Sequence, residues 1–424
     1  MSLKIKELLA THAGVESLGG TVVMPVEEQA ELANEVEHQK MRVEIKENSK
    51  EIDKIAETVE DIEDEVEELE EVVEGLEALA AMPELNRPTI NVLYRRAQKI
   101  NDRLGGADQT NVAGNESLET DDAYRAAVIS GCEAFSDTLK KMYIASSSFI
   151  KNLYYALVDG ITRLFGYVRD VAKKAEKVKA EVKGKEIKTK IKLGGWNRFF
   201  GGNLNGPDRV MTDIAAVLPS FGALIKKMCE IERASADGNK AILQDIGSLA
   251  SKFESAVKNS TTFVKIIADP MMHKNPRATS SKALITFAAP DVAKTTDLDK
   301  AMAQFHFNLT PMNEWNVAES NPLTGEHAAM ISQSQVDTVL NSVVKDSETI
   351  KKVKADVDGL KSTVDGVISK LKSGPKEGKD EEATKALIKA LKRAMGKYSQ
   401  LTNNYCRILS SIADAKVSAV KAHF

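Results

Sequence analysis

The most conspicuous grouping of chemically useful residue types in this chain is Gly194-Gly195-Trp196-Asn197-Arg198-Phe199-Phe200-Gly201-Gly202. A glycine-rich loop cradles phosphate when it ends in Lys-Ser/Thr, and a dinucleotide when its glycines follow GxGxxG order. Neither pattern is completed, so the cluster reads as a turn packing Trp196 and Phe199. His12, His38, His273, His306, His327 and His423 are scattered, with no HExxH and no His/Cys pair at metal-ligand spacing. Cys132, Cys229 and Cys406 are far apart and odd in number, which suits reduced, mostly buried thiols in a cytosolic setting. Asp121-Asp122 stands where a helix N-terminus welcomes carboxylates, a capping role rather than acid–base work. No GxSxG or cysteine-nucleophile context is present. The expectation is a protein that is not an enzyme, with no catalytic residue, cofactor or metal.

What remains is charge. Lys173, Lys174, Lys177, Lys179, Lys183, Lys185, Lys188, Lys190 and Lys192 crowd one short stretch. Such ammonium groups suit phosphates, but no aromatic platform is interleaved, so they fit only non-specific, salt-sensitive contacts to DNA. A solvated lysine face is the plainer reading of the same run. The surrounding charge is divided along the chain: residues 1–77 hold 7 Lys and Arg against 23 Asp and Glu, whereas residues 78–424 hold 51 against 39. An acidic head of net −16 is thus joined to a body of net +12, and basic surfaces favour polyanions.

The elements that position these groups are mostly helical. Aromatics make up 5% of the chain and Ala, Lys, Glu and Val abound, the composition of long helices. No apolar run approaches the ~18 residues of a transmembrane helix and Met1 begins no secretory signal, so no membrane partner is expected. Ile45, Ile52, Ile55, Val59, Ile62, Val66, Leu69, Val73 and Leu76 follow heptad or 3/4 spacing, a coiled-coil seam over 45–77 flanked by Glu63, Glu65, Glu70 and Glu77. Like charges disfavour a parallel homodimer, and the stripe Val343, Ile350, Val353, Val357, Leu360, Val364, Val367, Leu371, rich in lysine, is a better partner. Both stripes equally fit the buried faces of a helical bundle, and self-association through helices stays open.

Beyond the head, Met82-Pro83 and Arg87-Pro88 break the periodicity, and a helix from Pro88 to Leu104 follows. Residues 105–117, rich in Gly, Asn, Asp and Ser, read as an exposed linker and the main boundary. A long helix from about 121 to 183 comes next, with a break near Gly160 or Gly166. Ile187, Thr189, Ile191 and Leu193 alternate with lysines in the period of a half-buried strand. Residues 261–268, 284–288 and 304–309 are further strand candidates, and 207–236 and 240–255 are helical. Residues 373–379 form a loop, and 381–422 a helix pair or one helix with Leu387, Leu391, Tyr398, Leu401, Tyr405 and Ile408 on its stripe. The fold class is therefore mainly α: long helices in a coiled-coil-like bundle with a small embedded β-sheet. Its regions are an acidic helical head over 1–119, a helical body over 120–372 with a β insert around 187–310, and a C-terminal helical segment over 373–424.

One short pattern recurs at the borders of these regions. Gly14-Val15-Glu16, Gly75-Leu76-Glu77, Gly114-Asn115-Glu116 and Ser117-Leu118-Glu119 each set a small residue two positions before Glu. The pattern also falls on Gly131-Cys132-Glu133, inside a predicted helix. With its N-terminal run from Met1 to Leu9, the chain here resembles the internal head proteins of large tailed bacteriophages, especially phiKZ-like phages. That resemblance implies a propeptide cut by the prohead protease after Glu16, Glu77, Glu116 or Glu119, with capsid or scaffold proteins and packaged DNA as partners and the capsid interior as destination. An exposed linker is what a protease needs, which favours Glu119. The alternative is a cytoplasmic coiled-coil interaction or scaffold protein that never enters a virion.

Overall fold

Apolar stripes become buried helix faces in the computed structural model, which describes residues 26–106, 120–194, 196, 209–230, 236–258, 262–263, 277–278, 283–311, 325–371 and 381–424. The chain divides into two units, Met1–Glu44 and Ile45–Phe424. In the first, the described residues 26–44 are helical. In the second, residues 45–81 complete the helix α1 (Val26–Ala81), and the predicted seam is its core-facing edge: Ile52, Leu69 and Leu76 are fully buried and Ile45, Val59, Val66 and Val73 nearly so.

The break at residues 82–86 is a turn into α2 (Arg87–Arg103), where Asn86 Oδ1 accepts the Thr89 N–H at 3.2 Å and Pro88 occupies the first turn. Helix α3 (Asp121–Glu181) starts on Thr120, whose Oγ1 accepts the Ala123 N–H at 3.3 Å, and Asp121 and Asp122 sit in its first turn against the positive end of the helix dipole. Contrary to the sequence expectation, α3 runs unbroken through Gly160 and Gly166. Gly160 serves close approach instead: a Cβ there would stand 2.2 Å from Asn48 Oδ1 on α1. At a rise of 1.5 Å per residue α3 is a rod of roughly 90 Å.

Helices α4 (Arg209–Glu230), α5 (Ala236–Lys258), α6 (Leu298–Gln304), α7 (Gln333–Asp358), α8 (Lys361–Leu371) and α9 (Glu381–Ala422) complete the helical set among the described residues. The last is one helix, not a pair, and it is the central element: α3, α4, α6 and α7 all lie against it. It is buried nearly all round, including Leu387, Leu391, Tyr398, Leu401, Tyr405 and Ile408. Helix α7 packs on α3, where Tyr154 Oη donates to the Val357 carbonyl at 3.1 Å.

The β structure is small, as expected, but divided between two sheets. Strands β2 (Thr262–Phe263), β3 (Arg277–Ala278), β4 (Ala283–Ala288) and β5 (His306–Pro311) form an antiparallel sheet in that order. Strand β1 (Lys190–Leu193) pairs separately with β6 (Gly325–Ala328), Ile191 opposite His327 and Lys192 opposite Glu326. Aromatic rings join the larger sheet to the helices: Phe307 of β5 lies 4.5 Å from Phe253 of α5, and Phe221 of α4 lies 5.4 Å from Tyr398 of α9.

A satellite core is built where α1, α2 and the first third of α3 meet. Val66, Leu69, Val73 and Leu76 of α1, Ile90, Tyr94, Ala97 and Ile100 of α2, and Tyr124, Val128, Cys132, Phe135 and Leu139 of α3 form one apolar cluster. The segment on either side of residues 107–119 is thus joined through space as well as through the chain.

Candidate functional site

Alternation in β1 sets the predicted lysine face. Ile191 and Leu193 are buried and Lys190 and Lys192 exposed, so the period-two reading holds, over a shorter strand than residues 187–193. Upstream, α3 ends at Glu181 and Gly184 takes a positive φ of 81°, a conformation cheap only for glycine, which turns the chain toward β1. Lys183, Lys185 and Lys188 project from this turn, all exposed.

The nine predicted lysines fall into two groups. Lys173 meets Asp170 at 3.3 Å, Lys177 meets Glu181 at 3.9 Å, and Lys179 meets Asp337 at 3.4 Å. Lys174, Lys183, Lys185, Lys188, Lys190 and Lys192 form no ion pair among the described residues, although Glu326 stands across the ladder from Lys192. The strip from Lys183 to Lys192 is therefore a run of solvated cations, suited to a phosphate backbone and without the aromatic faces that would stack bases.

A second charged assembly escaped the sequence reading. Down α1 in steps of seven come Ser49, Ala56, Glu63 and Glu70, and they meet α9 in reverse order. Asn403 Nδ2 donates to Ser49 Oγ at 2.8 Å, Gly396 faces Ala56, Lys392 Nζ donates to Glu63 Oε1, and Lys389 Nζ donates to Glu70 Oε2 at 2.6 Å. Arg393 bridges Asp64 at 2.7 Å and Asp299 of α6 at 2.9 Å. Among the described residues the acidic flank of α1 thus pairs with cations on α9 and α2 rather than with the 343–371 stripe. Of the predicted flanking acids, Glu65 pairs with Arg103 at 3.0 Å and Glu77 is exposed. Lys389, Lys392 and Arg393 stand three and four residues apart, one face of a helix, and that spacing within an apolar stripe is the signal that marks them.

Burial governs the electrostatics here. It holds the Lys392 ammonium below its ordinary pKa although Glu63 pulls the other way. At Lys389 burial also opposes the charge, but Glu70, Asp299 and Glu63 outweigh it and raise the pKa. The Asp299 carboxyl is raised by burial against the pull of Arg393. Glu63 Oε2 has no hydrogen-bond partner among the described residues.

Near the lysine strip the C-terminus is clasped. His423 is fully buried; its Nδ1 donates to the Ala419 carbonyl at 2.7 Å and its Nε2 accepts the Met330 N–H at 3.0 Å. The Lys188 N–H donates to the His423 carbonyl at 2.9 Å. Trp196 is buried beside His423, 6.3 Å between ring centroids, while Phe199 lies outside the described residues.

Of the predicted cleavage positions, Glu16, Glu116 and Glu119 lie outside the described residues. Gly75-Leu76-Glu77 is helical and Leu76 fully buried. Cys132, Cys229 and Cys406 are buried thiols. Among the described residues no group of His, Cys, Asp and Glu has a metal-binding arrangement, and no helix is long and apolar enough to cross a membrane.

Compared with known proteins, residues 40–270 match the family of phiKZ-like phage internal head proteins. That span runs from α1 through the lysine strip to the start of the β sheet. No curated protein and no solved structure matches.

Proposed function

Because the chain belongs to the phiKZ-like phage internal head proteins, and so resides inside the virion capsid as a structural component, we propose that it enters the assembling head as a precursor and is cut by the prohead protease after a small-X-Glu motif. The cut protein then stays against the packaged DNA. Its partners in this reading are capsid or scaffold proteins, the prohead protease, and the DNA backbone bound without sequence preference.

The observation that carries the reading is the family match together with the strip Lys183, Lys185, Lys188, Lys190 and Lys192 inside the matched span. Phosphates held by such ammonium groups release counterions, so the binding is sequence-independent and weakens with salt. Glu119 and Glu116 are the proposed final cuts and Glu16 an early one. Glu77 requires more: a protease takes its substrate extended, and Gly75-Leu76-Glu77 becomes extended only when the end of α1 unwinds and Leu76 leaves the core. Cutting there belongs before folding or not at all.

Intact-mass and N-terminal analysis of the protein from purified heads tests the proposal. A chain beginning at residue 17, 117 or 120 is expected. A chain still beginning at Met1 in DNA-filled heads overturns the processing step.

A further inference from the structure

We propose that a cut between α2 and α3 does not release the acidic head, and that the α1–α2 segment stays seated on α3 and α9 as a non-covalent second chain. This rests on the processing reading above for its occurrence in the head, but the attachment itself is a property of the folded protein. The cut adds one water across one peptide bond, leaving a carboxylate on the first piece and an ammonium on the second. It breaks none of the contacts that hold the pieces together.

Those contacts are of three kinds, all between residues before 107 and residues after 119. The first is apolar: Leu69, Leu76 and Tyr94 share a core with Tyr124, Val128 and Phe135, and the Tyr94 and Phe135 rings lie 5.2 Å apart. The second is polar and directional. Arg125 donates to the carbonyls of Ala80 and Pro83 at 2.7 and 2.9 Å, and Tyr124 Oη donates to Asn91 Oδ1 at 2.8 Å. The third is ionic, through Glu63, Asp64 and Glu70 on Lys392, Arg393 and Lys389.

Intact, the linker gives the two pieces an effective concentration of about millimolar. After the cut they must hold at their true concentration. A buried apolar core with two anchored carbonyls is able to do so, because apolar association is not screened by salt. The consequence is a division of charge in the processed protein. The acidic segment remains over α9 and over α3 from its start as far as Gly160, where Asn48 lies against it, while the lysine strip begins past the end of the same helix. From Gly160 to the end of α3 at Glu181 is roughly 30 Å. Processing would then free the ends of the chain without uncovering Lys389 and Lys392, and the DNA-facing cations would be those of the strip.

The test uses the full chain with the recognition sequence of a site-specific protease substituted into residues 107–119. After complete cutting, verified on a denaturing gel, gel filtration is run at about 0.1 M and about 1 M salt. Both pieces are expected in one peak at both salts. Separation at either salt overturns the proposal, since separation at high salt alone would mean a purely ionic seat. A second preparation carrying Tyr94→Ala is expected to shed the segment. Its retention would show that the apolar seat is not what holds. Failure of cleavage in native heads would count against the processing reading and leave this result standing.

Discussion

The hydroxyl end of Tyr94 of α2 lies against α3 at Gly131, so near that a Cβ at position 131 would fall 2.3 Å from the tyrosine hydroxyl oxygen and 2.4 Å from its ring. The ring is 2% exposed within the apolar cluster, and Phe135, one turn further along the same face of α3, packs on it at 5.2 Å between centroids, so it has little room to shift. Gly131→Ala sets a helix-propensity gain of about 1 kcal/mol against overpacking of about 1–3 kcal/mol. With a ring rather than a flexible chain in the way, overpacking wins. Urea denaturation is expected to show net destabilisation of about 1–2 kcal/mol. Faster reaction of Cys132 with a thiol reagent should accompany it, since burial, aided by Glu77, pushes that thiol's pKa up to about 12 in the closed core.

The Glu63–Lys392 pair is nearly solvent-free, at 3% and 4% side-chain exposure. A buried pair gains little over apolar packing, but breaking it strands a charge at a cost of about 3–5 kcal/mol. Lys392→Met alone is therefore expected to destabilise by that order, and so is Glu63→Leu alone. The double variant should recover most of the loss, because it removes both charges from a site where Glu63 Oε2 has no hydrogen-bond partner among the described residues. A double variant as unstable as either single would show that the pair contributes more than charge balance.

Much of this architecture is legible in the sequence. The heptad stripe of α1, the break at 82–86, the lysine face of β1 and the core stripe of α9 follow from periods of 3.5 and 2 and from Pro and Gly punctuation. Partner choice was not legible, because periodicity tells which face is buried and not what covers it. Lys389, Lys392 and Arg393 are of a residue type that ordinarily faces solvent, yet α9 runs through the middle of the unit and is buried around them. Gly160 and Gly131 were misread or passed over for one reason: a glycine that admits a neighbour and a glycine that ends a helix look alike in sequence. Strands β3 and β6, two and four residues long, give too few alternations to register.

His423 makes the C-terminal clasp sensitive to acid. Burial holds its pKa below 6.5, the Ala419 bond works the other way and Lys188 adds to the depression. The unfolded chain thus binds a proton at a pH where the folded chain does not. The clasp's contribution is complete above pH 6.5 and declines as pH falls toward and through the folded pKa, when a second ring proton must displace the Met330 N–H. Thermal melts of the native chain should lose stability on acidification through this window. His423→Leu should flatten that part of the profile while lowering stability at neutral pH; an unchanged profile would rule out the histidine as its source.

The two groups of lysines make separable predictions for DNA. Each phosphate contact adds about 0.9 to the slope of log affinity against log salt. Replacing Lys183, Lys185, Lys188, Lys190 and Lys192 by Gln is expected to make the slope shallower by about 4, with Glu326 already offsetting part of Lys192. Replacing Lys173, Lys177 and Lys179 removes cations that are occupied by Asp170, Glu181 and Asp337, so the slope should change by about 1 or less. Loss of affinity should be the same for duplexes of unrelated sequence, because ammonium groups without a stacking surface read only the backbone. Fluorescence anisotropy at a series of salt concentrations measures both quantities. Equal slopes for the two variant sets would assign the binding to overall charge, and no change in either would remove the strip from the DNA-facing surface.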